Sequence, residues 1–136
     1  MFYKDKKKYF GIQNYTKIFF IMCLIAFMIK ESEKIIIIKT AITLRKMLSN
    51  NKSSSAKADV SVDIVNSYDK IAANSNSELT KATVNSAFSG KKRSTMATIV
   101  LIVESMGYTM IDFAEIYDQL SERDAKKFRE EILKRS

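Results

Sequence analysis

The residues best suited to chemistry lie in one stretch, Glu78-Leu79-Thr80-Lys81-Ala82-Thr83-Val84-Asn85-Ser86-Ala87-Phe88-Ser89-Gly90-Lys91-Lys92-Arg93. None of them is a nucleophile with a base beside it, so the chemistry they offer is recognition rather than turnover. An asparagine such as Asn85 pairs bidentately with adenine in a major groove, a lysine such as Lys81 reaches O6 and N7 of guanine, and the methyl of Ala82 meets that of thymine. Ser86 is small and polar at the adjoining position. Lys91, Lys92 and Arg93 follow directly, and no acid stands between Glu78 and Glu104, so this edge of the chain is basic. A loop of solvated lysines is the bland alternative for those three residues.

Other chemistries are excluded by composition. The sequence has no His and one Cys, Cys23, which removes Ser-His-Asp and Cys-His catalysis, zinc fingers and disulfide frameworks together. No carboxylate sits in a phosphate loop or a paired-acid motif, so neither an enzyme nor a bound metal or cofactor is expected.

The elements that must carry the recognition residues are helices. With no Pro and three Gly, the chain reads as all-α. Five helices are expected. The first covers residues 58–73, from the spacing of Val60, Ile64, Tyr68, Ile71 and Ala72. The second starts at Thr80, whose hydroxyl is placed to accept from the amide of Thr83, and ends at Gly90. On it Val84, Ala87 and Phe88 face inward, so Lys81, Ala82, Asn85 and Ser86 face out, with the helix N-terminus available to a phosphate. The third starts near Thr95, buries Met96, Ile99, Ile102, Val103 and Met106, and ends at Gly107 with Tyr108 folding back. Capping-box spacing at Thr109/Asp112 and Ser121/Asp124 opens the last two, the former presenting Phe113, Ile116, Tyr117 and Leu120, the latter Ala125, Phe128, Ile132 and Leu133.

The net charge is +8, but residues 1–50 hold ten Lys/Arg against three Asp/Glu, a net of +7, and residues 51–136 thirteen against twelve, a net of +1. The excess belongs to the first third. There a basic opening (Lys4, Lys6, Lys7, Lys8, Lys17) precedes an unbroken apolar run over residues 18–29, closed by Lys30, Glu31 and Glu33. Twelve residues fit the core of an export signal better than a membrane anchor of about 20. The Lys, Ile, Phe, Tyr and Asn of this region are also what A/T-rich codons write, so residues 1–46 read first as translated sequence ahead of a start at Met47, next as a signal-like or membrane-associating segment, and last as an integral part of the fold. Residues 47–56, Ser- and Asn-rich, read as a flexible linker, and residues 57–136 as the folded domain.

The stretch LTKATVNSAFSGKKRSTMATIVLIVESMGYTMIDFAEI, residues 79–116, resembles the Cro and lambda-repressor-like helix-turn-helix domains of the XRE family. The likeness spans about 40 residues, or about 65 with the preceding helix; residues 79–93 also resemble a LacI-type headpiece, less well beyond that point. It implies a five-helix lambda-repressor-like domain with a non-core N-terminal extension, binding double-stranded DNA as a cytoplasmic, nucleoid-associated regulator of bacterial or phage type, most simply a repressor. By the same resemblance Lys81, Ala82, Asn85 and Ser86 contact bases, and Thr80, Thr83, Lys91, Lys92 and Arg93 contact the backbone. Family habit adds a homodimer through the C-terminal helices and, in the antitoxin variant, a toxin partner. The family's turn ends in Gly where this chain has Glu78, and it is one or two residues shorter. A helical interaction module using Tyr117, Leu120, Phe128 and Ile132 is the competing expectation.

Overall fold

The structure is a computed structural model that describes residues 3–57 and 63–135, with side chains in the first helix described from Gln13 onward. Among the described residues it is all-α, with six helices and no strand: α1 (Tyr3–Lys57), α2 (Tyr68–Asn74), α3 (Lys81–Ser89), α4 (Met96–Ser105), α5 (Met110–Asp118) and α6 (Glu122–Lys134). The chain divides into two units, Met1–Lys34 and Ile35–Ser136.

In the larger unit the core is built on Leu44, Met47 and Leu48 of α1, Val65, Ile71 and Leu79 around α2, Val84, Ala87 and Phe88 of α3, and Ile102, Val103 and Met106 at the end of α4. Two expectations fail here. Residues 35–46 are not a non-core extension, because Ile38, Ala41 and Leu44 are buried. Nor are residues 47–56 a flexible linker: they are helical, Met47 is 0 % exposed, and Asn51 is buried with its Nδ2 donating to the carbonyls of Val65 at 2.8 Å and Met106 at 3.0 Å. Ser and Asn are weak helix formers by tenths of a kcal/mol each, and a buried face with two long-range hydrogen bonds outweighs that deficit. No Gly or Pro interrupts the chain between Gly11 and Gly90, so nothing forced the helix to stop earlier.

The first expected helix is also shorter than its periodicity suggested. Residues 58–62, including Val60, lie outside the described residues; residues 63–66 are non-helical, and α2 begins only after Ser67, whose hydroxyl accepts from Lys70 N. Val65, not Ile64, is the buried residue of this approach.

Elsewhere local chemistry sets the boundaries as expected. Thr80, Thr95, Thr109 and Ser121 cap their helices by accepting from the amide three residues on, and the last two form capping boxes with Asp112 and Asp124. At the end of α4, Tyr108 N donates to Val103 O at 3.1 Å and Gly107 N to Glu104 O at 2.9 Å, a Schellman arrangement made feasible by φ +83° at Gly107. Met96 is the exception on α4: it is 65 % exposed, not buried. It is the first residue of the helix, ahead of the turns that meet the core.

Candidate nucleic-acid interface

Helix α3 is held by its neighbours on three sides. Tyr68 of α2 packs its ring against Phe88 with centroids 4.7 Å apart, and Asp69 of α2 pairs with Lys81 at 2.9 Å. At its C-terminus Arg45 of α1 donates from Nε to the Phe88 carbonyl at 2.8 Å, satisfying one of the acceptors that a helix end leaves open. The same guanidinium lies 4.7 Å from the ring centre of Phe128 on α6. Gly90 then turns the chain at φ +70°, and a Cβ there would meet Ala41 Cβ at 3.3 Å and side-chain carbons of Phe128 and Ile132 at 3.4 Å. This position therefore needs glycine for its φ and for its space.

The turn between α2 and α3 reaches the left-handed region without a glycine. Asn76 and Ser77 adopt positive φ (52° and 67°), while buried Ser75 donates its hydroxyl to Ala72 O at 2.7 Å and accepts from Leu79 N at 3.1 Å. Asn tolerates the left-handed region better than most residues.

With Val84, Ala87 and Phe88 buried, Thr80, Lys81, Ala82, Thr83 and Asn85 are exposed and Ser86 is half-buried. Lys81 is not idle, since it carries the ion pair to Asp69; both side chains are about two-thirds exposed, so the pair is worth at most about 1 kcal/mol and yields easily to a competing anion. Thr80 and Thr83 share a hydroxyl hydrogen bond at 2.9 Å. The basic loop divides. Lys91 lines a groove of about 190 Å³ together with Asn85, Ser89 and Arg45, closed by Phe128, Glu131, Ile132 and Arg135 of the α6 region. Lys92 and Arg93 line a different, smaller cavity with Ile36, Ile37 and Thr40 of α1. The structure thus brings Asn85 and Lys91 to one groove and sets Lys92 and Arg93 on another.

Arg45 and Arg135 are the cations that sequence reasoning missed beside Asn85. Arg45 lies in residues 1–46, which composition sets apart from the folded domain, and nothing local to α6 signals that its C-terminal end comes next to α3. The groove also contains an acid, Glu131, which opposes a phosphate there.

Comparison with known proteins finds no match. No family model, no curated protein and no solved structure corresponds significantly to this chain.

The competing interaction surface needs correcting. Leu120 is buried, and Phe128 and Ile132 are half-buried against Gly90 and line the groove at Asn85, so the four do not form one free face. Tyr117 does line an open apolar groove, with Met96, Met110, Phe113 and Ala114, and Lys39 lies 4.3 Å from its ring centre. Burial raises the Tyr117 hydroxyl above its ordinary pKa. Among the described residues no three His, Cys, Asp or Glu side chains gather as a metal-binding group, and no single helix is long and apolar enough to cross a membrane.

Proposed function

We propose that the chain is a sequence-specific duplex-DNA-binding regulator, most simply a repressor, that reads bases with α3 as the second helix of a helix-turn-helix formed with α2. The observation that carries this reading is the two-sided character of α3: its inner face is fully buried, and its outer face offers Lys81, Ala82 and Asn85 to solvent. A short helix anchored this way fits a major groove about 12 Å wide, with its capped N-terminus free for a phosphate. Lys91, Arg45 and Arg135 would meet the phosphate strand nearest Asn85, and Lys92 and Arg93 a neighbouring one. Such a protein works in the cytoplasm, on the nucleoid.

A second reading rests on the apolar groove at Met96, Met110, Phe113 and Tyr117, which suits a partner chain, whether a second copy in a homodimer or a toxin. It is compatible with DNA binding by α3.

The test is selection of a site from a random duplex library, followed by fluorescence anisotropy with selected and scrambled duplexes over a salt series. Asn85→Ala is expected to lose about 1 to 3 kcal/mol on the selected site and little on the scrambled one. Lys92→Ala is expected to weaken both alike and to reduce the salt slope by about one. A library with no enriched site, together with unchanged binding in both variants, overturns the reading and leaves the partner groove in first place.

A further inference from the structure

The first unit holds a feature that DNA binding does not use. Residues 18–29 form an uninterrupted apolar stretch of α1, Ile-Phe-Phe-Ile-Met-Cys-Leu-Ile-Ala-Phe-Met-Ile, and every one of them is exposed, the large ones from 49 % at Leu24 to 70 % at Phe19. Twelve consecutive helical residues at 3.6 per turn pass more than three times round the axis, so this surface is apolar on all sides rather than along a stripe. That narrows the kind of partner. A single partner helix covers one seam and leaves the remaining faces in water, so a helix apolar all round needs cover on every side, from a membrane or from several packed chains.

The flanks name the medium. Residues 1–17 contain five lysines against one acid, and Lys17 immediately precedes the apolar run, a basic approach suited to an anionic lipid surface. The stretch is about 18 Å long at 1.5 Å per residue, against a hydrocarbon thickness of about 30 Å, so it reaches into a bilayer without crossing it. We propose that residues 18–29 insert into an anionic lipid membrane, with the preceding lysines on its headgroups, so that the protein is held at a membrane surface. This inference stands apart from the DNA reading.

Cys23, the single cysteine and exposed in the middle of the run, gives the probe its place. The full chain is labelled there with an environment-sensitive fluorophore and mixed with vesicles of phosphatidylcholine alone or with phosphatidylglycerol admixed, some carrying a quencher on the acyl chain. The expected result is a blue-shifted emission quenched by the acyl-chain label, stronger with phosphatidylglycerol and reduced by salt. In flotation of the unlabelled chain, Phe20→Asp/Ile25→Asp is expected to lower vesicle partitioning on the order of a hundredfold. Because both residues are exposed, this variant should keep the wild-type circular dichroism. Reversing Lys6, Lys7 and Lys8 to Glu should remove the preference for phosphatidylglycerol. No shift with either vesicle, or a shift that appears without lipid and grows with protein concentration, overturns the proposal; the latter would assign the segment to self-association.

Discussion

Asn51 joins three parts of the larger unit through one side chain, since its amide reaches the carbonyls of Val65, before α2, and Met106, at the end of α4. Both acceptors are on residues that are themselves buried, so losing the donor strands them without water. Asn51→Ala is expected to destabilise the protein by about 2 kcal/mol, measured by urea unfolding, with Asn51→Asp worse because an ionised carboxylate only accepts. Equal stability of all three forms would mean that the two carbonyls find other donors. Composition suggested a linker at this point because an asparagine in a Ser-rich run usually stays solvated; which carbonyls it meets depends on residues 14 and 55 positions away.

Among the elements, α5 and α6 are the ones that open with a capping box closed by an Asp, and these caps make them sensitive to acid. Asp112 accepts from the Thr109 amide at 2.8 Å and from its hydroxyl at 2.7 Å, and these bonds, the backbone one foremost, hold its carboxyl below the ordinary value of 3.8. Asp124 is lowered likewise, first by the Ser121 hydroxyl and then by the Ser121 amide. A carboxyl lowered in the folded state stabilises it above its unfolded pKa, and the stabilisation fades as the pH falls through the lowered folded value. Stability should therefore hold at pH 5 and drop below about pH 4, and Asp112→Asn/Asp124→Asn should flatten that acid limb in unfolding curves taken across the range. An unchanged limb would place the acid sensitivity elsewhere, with Asp63, lowered by Lys70, the next candidate. These caps were legible in the sequence because all their partners lie within three residues.

For the whole molecule the decisive question is where the folded unit starts. A chain beginning at Met47 would lack Ile38, Ala41 and Leu44 from the core and Arg45 from the end of α3. Removing the two large buried aliphatic side chains, Ile38 and Leu44, costs on the order of 4 to 10 kcal/mol, comparable with the whole stability of a small domain. Residues 35–136 should thus melt cooperatively by circular dichroism, and residues 47–136 should not. Cooperative melting of the shorter fragment at the same temperature would return residues 35–46 to the status of an appendage. The sequence by itself determined the all-α class, the starts of α3 to α6, the glycine stops at Gly90 and Gly107, and the division of α3 into buried and exposed faces, because each follows from neighbours within about one helical turn. Only the tertiary structure decided that the polar run after Met47 continues the first helix and buries Asn51, that Phe128 and Ile132 close on Gly90, and that Arg45 and Arg135 stand beside Asn85. Those outcomes depend on burial and on hydrogen bonds between residues far apart in the chain, for which periodicity and composition carry no signal.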